Sequence, residues 1–412
     1  MIPVRETSSA IKNVGDIRHK INHQKRSGLI SKTWNLVQKI VVPNLKLKTH
    51  HNCKYSYNDF FKLLTYAGIN NGCAEGSANN LNFYSEEGCP NGDTLLYHLK
   101  KFDTSELLES YERITDQVIP LAKNRGLLNG PVDCAIDFTD ELYYGNRNDP
   151  MVVGTKPQKG TTWAFRFATI TLIDKDCRLT IRSLPVGANT SKPEVIANLV
   201  KYAQERVEIG ILCIDRGFYS VDVFTTLNNL GIKYVTPAKE NPNAIRQMRG
   251  LFPPQIRPLT IRSQSSDNKS VTVNLVMVLD MEKEKRAFIT NMDLDRSKTR
   301  ELSRLYSKRW GIETAYRVKN DFRPKTTSKN YVIRLFYFLF SVCLYNLWEL
   351  VNVILALVNQ IDPKTPIIAA KLFGTILFRI FQQTGIGPQI GKLTERPQLR
   401  PAGSRLTGKT SG

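Results

Sequence analysis

Histidine is scarce in this 412-residue chain, with five copies, and the seven cysteines form no CxxC pair. A structural zinc site needs two ligand pairs at finger spacing, so the lone cluster His50-His51-Asn52-Cys53 does not predict one. A disulfide scaffold is not expected either. Cysteines such as Cys213, inside the apolar run Ile211 to Ile214, read as reduced core residues of a cytosolic protein. Residues 1–30 are polar and basic and lack the apolar stretch of a signal peptide. No internal repeat is visible. Long apolar runs are nearly missing too, and the one exception, Tyr331 to Val358, carries Arg334, Asn346, Glu349 and Asn352 along it. Charge at bilayer depth is costly, so a buried helix of a soluble domain is expected there rather than a membrane span.

Acidic residues are also in short supply. Asp and Glu number 37 against 58 Lys and Arg, a net charge of +21. Such a balance favours a polyanionic partner, because each phosphate contact releases a counterion. The excess is uneven: residues 1–54 hold eleven basic residues against Glu6 and Asp16, and 359–412 hold eight against two acids. A third cluster, ten against three, spans 298–329 and surrounds Glu313. Basic arms at the ends of a chain often follow phosphates, so a nucleic acid is the expected partner.

Residues 1–125 read as a mostly helical, basic region suited to DNA binding. Apolar periodicity runs from Trp34 to Ile40 and from Tyr57 to Ala67, and again along Leu107, Leu108, Tyr111, Ile114 and Val118 of a helix from Thr104 to Leu121. Between Gly68 and Gly92 the Gly, Asn and Ser content predicts a loop. Residues 126–236 change character. Val132 to Phe138 reads as a short strand, Trp163 to Ile173 and Cys177 to Val186 as a hairpin around Asp174-Lys175-Asp176, and Gly210 to Ile214 as a buried strand. Ser191 precedes a helix with Pro193 and Glu194 in its first turn, and Gly231 closes another from Val221 to Leu230. The order β-β-β-α-β-α-β follows. Residues 237–295 read as a β-rich insertion. From Ser297 a single long helix through Glu313 to about Asp321 is expected, then the apolar helix, so that 296–360 completes the core begun at 126–236. Residues 361–412 are basic and partly flexible, from about Gly385 a tail.

Three carboxylates stand out by position. Asp137 ends the first strand, Asp215 directly follows the strand Gly210 to Ile214, and Glu313 lies on the basic helix. Acids at neighbouring strand ends repel one another and call for cations. Hard Mg²⁺ or Mn²⁺ suits oxygen ligands, and two such ions can activate an attacking oxygen and stabilise a leaving one. Taken singly, each acid has a plainer role as a helix cap or surface charge. Two Asp on strands and a Glu on a later helix is nevertheless the arrangement of an RNase-H-like nuclease core. At about 100° per residue, Tyr306, Arg309, Glu313 and Arg317 share one face of the expected helix, while Leu305, Ile312 and Tyr316 turn toward the core. An Arg309–Glu313 pair on a solvated face is the plainer alternative.

These residues carry a resemblance. Tyr306-x2-Arg309-x3-Glu313 resembles the Y-R-E-K signature of insertion-sequence transposases of the insertion-sequence-four group. Asp215-Arg216-Gly217-Phe218 is similar to that group's motif around the second aspartate, and Ile136-Asp137-Phe138-Thr139 to its first-aspartate strand. Tyr143-Tyr144-Gly145 and Lys159-Gly160-Thr161-Thr162 fit the hairpin that follows. The resemblance covers about 130–350. One position departs: the signature's lysine falls on Asn320, and Lys319, one residue early, lies some 120° from Glu313 on a helix. Arg317 or Arg323 could stand in for it.

The resemblance implies an α/β protein with an RNase-H-like catalytic core, a β-rich insertion between the second and third acids, and cut-and-paste transposition. Asp137, Asp215 and Glu313 would bind Mg²⁺, with Mn²⁺ able to substitute. Tyr306, Arg309, Arg317, Lys319 and Arg216 would contact DNA, and Trp310 could stack on an extruded base. A homodimer on double-stranded DNA, without a membrane and in the nucleoid-bearing cytoplasm, is the expected working form. A host nuclease of the same fold and a catalytically inactive DNA-binding relative are the competing readings.

Overall fold

The computed structural model describes residues 33–383 apart from 46, 50–52, 85–87, 174–176, 240–252, 264–267, 280–283 and 364. The His50-His51-Asn52 cluster, the Asp174-Lys175-Asp176 turn and most of both basic ends therefore lie outside the described residues.

The described chain begins with a short helical stretch that includes Val37–Val41, where Val37, Ile40 and Val41 are buried. It continues with helices α1 (Tyr57–Ile69), α2 (Ala74–Tyr84), α3 (Gly92–Leu99) and α4 (Thr104–Lys123). Helix α4 starts where a short acid can satisfy the free amides: Asp103 accepts from Ser105 N, and Glu106 closes a capping box. Helix α2 occupies the stretch whose Gly, Asn and Ser content suggested a loop. Ala74, Ser77, Ala78 and Leu81 are its buried residues, and this small-residue face packs closely on its neighbours despite weak helix propensity.

Nine strands then form one sheet among the described residues, in the order β2-β3-β1-β5-β6-β9-β8-β7, with β4 paired to β3 off that path. They are β1 (Val132–Leu142), β2 (Val152–Gln158), β3 (Thr161–Leu172), β4 (Thr180–Val186), β5 (Ile209–Ile214), β6 (Tyr234–Pro237), β7 (Gln255–Arg262), β8 (Ser270–Leu279) and β9 (Lys285–Thr290). Strand β1 is antiparallel to β3 and parallel to β5, with Ile136 opposite Ile214. The outer edge of β3 is shared: Trp163 and Phe165 pair with β2, and Arg166 to Thr171 with β4. Sequence reading missed β2, because Gly154 and Pro157 interrupt a run with only two buried valines. The strands of 237–295 prolong this same sheet, through Val235 of β6 opposite Thr290 of β9.

Helices α5 (Lys192–Gln204) and α6 (Val221–Asn229) cover one face, and the other is covered by α7 (Thr299–Lys308), α8 (Trp310–Phe322) and α9 (Tyr331–Val358), with α10 (Ala370–Gln383) beyond. The alternation of strand side chains divides the core accordingly. Ala135, Cys213, Val235 and Phe288 pack with Leu302 and Ile312, whereas Ile136, Leu212 and Ile214 belong to the larger cluster.

Helix α9 is the one described helix long and apolar enough to cross a membrane, and most of it is buried within the fold. Its Asn352 is satisfied by the Ile368 backbone, and Arg334, Asn346 and Glu349 by the sheet and the segment leading into β4. Arg334 Nη1 donates to Glu141 Oε1 at 2.8 Å, Glu349 accepts from Arg178 N at 3.0 Å, and Asn346 both accepts from Thr180 N and donates to Thr180 O. The bonds from Glu349 and Asn346 satisfy backbone groups just before and at the start of β4, which has β3 as its strand partner among the described residues.

Helix α1 runs tightly against the end of α8. A Cβ on Gly68 would stand 2.3 Å from the Phe322 carbonyl oxygen, which is backbone and cannot swing aside. Gly68→Ala is therefore expected to cost about 2 kcal/mol of stability, as other overpacked core sites do. A melting temperature equal to that of the unaltered protein would show that the two helices are not so closely seated.

Candidate active site

The first two acids reach one place because β1 and β5 are parallel neighbours. Asp137 lies one residue past the last β1–β5 pair, and Asp215 directly follows β5 at the head of a 3₁₀ turn, Arg216–Phe218. The third comes from the opposite layer. Glu313 sits in the first turn of α8.

The long helix expected from Ser297 to Asp321 is broken. Thr299 starts α7, Lys308 ends it, and Arg309 separates it from α8. At the junction the bonding tightens to three-residue spacing, with Arg309 N donating to Tyr306 O and Ile312 N to Arg309 O. The break turns Arg309 inward. Its side chain is 11% exposed and lies between two acids, Nη1 at 3.3 Å from Asp137 Oδ2 and Nη2 at 3.6 Å from Glu313 Oε1. The guanidinium also stacks on the Tyr306 ring, 5.3 Å from its centre. The plain solvated Arg309–Glu313 pair is thus replaced by a half-buried bridge that includes Asp137.

Electrostatics tie the three acids together. The Asp137 carboxyl is pushed up to about 6, first by burial and further by Asp215 and Glu313, against the pull of Arg309. Arg309 feels Tyr306, Asp137, Asp215 and Glu313, which hold its proton more firmly in spite of burial. Tyr306 is pushed up to about 12 by burial, with its ring against Phe288. Tyr316, expected simply to face the core, supports the site: its hydroxyl bonds Thr169 Oγ1 at 2.6 Å and donates to the Asp137 carbonyl at 3.4 Å. Sequence reading missed that role, because nothing in the residue pattern marks which core hydroxyl meets a strand carbonyl.

Among the described residues, no three His, Cys, Asp or Glu side chains are gathered as ligands of one ion. The charge between Asp137 and Glu313 is balanced by Arg309 instead. The donor set, all carboxylate oxygen, suits a hard divalent cation, provided that the guanidinium withdraws.

The remaining expected contacts separate. Arg216 is exposed beside Asp215, and Arg317 is exposed one turn beyond Glu313. Arg323 faces Glu141, at 3.8 Å. The side chain of Trp310 lies outside the described residues. Lys319 corrects the expectation of a DNA contact. It is 2% exposed, and its Nζ sits 4.6 Å from the Tyr316 ring centre and 5.1 Å from that of Tyr345 with no hydrogen-bond partner. The offset of some 120° from Glu313 turns it into the core.

Burial pushes the Lys319 ammonium down to about 7, with Asp137 opposing. Between that value and the unfolded lysine's pKa of about 10.4, the folded side chain is mostly neutral and the unfolded one charged, so stability rises with pH. Lys319→Met removes the buried donor and this slope. At pH 7 the variant is expected to be more stable by about 2 kcal/mol, with the gap narrowing as pH approaches 10. Melting curves of both proteins across that range check it, and a constant or widening gap would count against a buried, unpartnered lysine.

Residues 145–347, just under half of the chain, match the family model described as the transposase DDE domain. The match contains Asp215, Tyr306, Arg309 and Glu313, and begins eight residues after Asp137. A solved structure with the same fold is the piggyBac transposase in a synaptic complex with hairpin DNA. It is 13% identical, with a TM-score of 0.54, over 87% of this chain and 80% of that one. No curated protein matches. The first finding makes this stretch similar to DDE transposases, a family that generally uses a divalent metal, and the second shows a likeness of fold.

Proposed function

We propose that this protein is a cut-and-paste DNA transposase of the insertion-sequence-four kind, cutting at the terminal inverted repeats of its element and joining the ends to target DNA. The observation that supports the reading is that Arg309 bridges Asp137 of β1 and Glu313 of α8, with Asp215 at the end of β5 near enough to act on both Arg309 and Asp137 electrostatically. The order β4-β3-β1-β5-β6, three antiparallel strands followed by two parallel ones, supports an RNase-H-like core, with β7 to β9 as the insertion between the second and third acids.

Asp137, Asp215 and Glu313 would hold Mg²⁺, or Mn²⁺ in its place, which when bound supplies activation of the attacking oxygen and charge stabilisation of the leaving one. Arg309, released from the carboxylates, donates two parallel N–H groups to a phosphate near the cut. Tyr306, stacked on it, fixes the direction of the guanidinium. Arg317, one turn beyond Glu313, and Arg216, next to Asp215, are both exposed and hold backbone phosphates. Arg317, not Lys319, takes the place of the displaced signature lysine. Trp310 is the aromatic residue suited to an extruded base. A homodimer pairing two element ends, at work on the nucleoid, completes the reading.

Strand transfer separates this function from that of a host nuclease. Full-length protein, Mg²⁺, an end-containing DNA fragment and a target plasmid are expected to yield donor ends joined to target. Cutting without any joined product would favour the nuclease, and metal-independent binding without cutting the inactive relative.

A further inference from the structure

The sheet brings a second feature to the same rim as the acids. Asp137 and Phe138 are successive residues of β1 and so face opposite sides. Asp137 faces α8. On the other side the Phe138 ring packs on Phe218, 4.3 Å between centres, and Phe218 belongs to the turn that begins at Asp215. Two lysines close on the carbonyls of that turn. Lys192, the first residue of α5, donates from Nζ to Gly217 O at 2.9 Å, and Lys239, just past β6, donates to Tyr219 O at 3.2 Å. Arg166 lies over Phe138 beside them, 5.5 Å from the ring centre.

Their pairing is unequal. Arg166 has a bidentate partner in Asp140. Lys192 and Lys239 are exposed and have no carboxylate partner among the described residues. The Lys192 ammonium is held below its ordinary range by partial burial and then by repulsion from Lys239 and Arg166. Each ammonium carries three donors and spends one on a carbonyl. A like-charge group with spare donors, at the edge of a carboxylate site, lacks an anion.

We propose that Lys192 and Lys239 form a phosphate clamp for the DNA backbone, on the sheet face opposite Glu313. It holds phosphates flanking the cut as the strand crosses the rim at Asp215. This rests on the transposase reading above, and adds a site that the three acids and the α7–α8 arginines do not include. The plainer role, bracing the turn of Asp215, needs hydrogen-bond donors but no charge.

Salt dependence of DNA binding distinguishes the two. Each lysine–phosphate contact contributes roughly one unit to the slope of log affinity against log salt concentration. Full-length Lys192→Gln/Lys239→Gln protein, binding the duplex that flanks its own reading frame, is expected to show a slope shallower by about two. Lys192→Arg/Lys239→Arg protein is expected to keep the original slope. If the double glutamine variant does not fold, each single variant is expected to lower the slope by about one. An unchanged slope in the glutamine variants, with the unaltered protein binding in a salt-dependent way, overturns the clamp alone. Salt-independent binding by the unaltered protein overturns the transposase reading along with it.

Discussion

Replacing Glu313 by Gln is expected to lower DNA cutting by about a thousandfold or more while leaving duplex binding nearly intact, since losing one preorganised charge at a reacting centre alone costs a factor of this size. Glu313 is 44% exposed on its side chain, so the neutral isostere has water to bond with and the fold is not at risk. Asp215→Asn is expected to behave alike, because Asp215 lies at a strand end and its side chain caps nothing. Asp137→Asn removes the acid pushed up to about 6, and with it one of the two carboxylate partners of Arg309. All three can be read in one gel with labelled end-containing duplex. Full activity in the Glu313 variant would remove it from the site and leave two acids, too few for the arrangement argued above.

Arg309→Ala is expected to move metal binding and cutting in opposite directions. The guanidinium bridges Asp137 and Glu313, so any cation entering there must displace it. Without that competitor, Mn²⁺ is expected to bind about tenfold more tightly, as when a binding-competent arrangement becomes the dominant one. Cutting is nonetheless expected to fall about a hundredfold or more, through loss of a phosphate-directed donor. In the metal-free protein the two acids lose their counter-charge, and a lower melting temperature that Mn²⁺ largely restores is expected. Calorimetric titration with Mn²⁺ checks the first point. Weaker binding in the variant would mean that Arg309 supports the ion instead of competing with it.

Asp215 was legible in the sequence because a short apolar run stops at it, whereas the strand expected to end at Asp137 continues to Leu142. Pairing with β3 carries β1 on, so Asp137 lies mid-strand, one residue past the last pair with β5, and only the sheet shows that it stands beside Asp215. Glu313 was legible through its neighbours Tyr306 and Arg309. The break at Arg309 was not. Apolar periodicity continues from Leu302 through Ile312 to Ala315, and only tertiary contact with Asp137 decides that the chain tightens there. The angular offset of Lys319 was readable, whereas its burial required knowing that Tyr345 of α9 lies beneath it. Strand alternation marked 237–295 as β-rich but did not say that β9 would join β6, since edge pairing depends on partners far along the chain. The lysine pair had no local signal. Lys192 and Lys239 are far apart in sequence, and only the turn after β5 brings them together.

Incubation of the full-length protein with the DNA that flanks its own reading frame, in Mg²⁺ and in chelator, tests the carboxylate site most directly. Cuts confined to the two element ends, present with Mg²⁺ and absent with chelator, are the expected result. Equal cutting in chelator, or an intact substrate in Mg²⁺ with the DNA demonstrably bound, would contradict it.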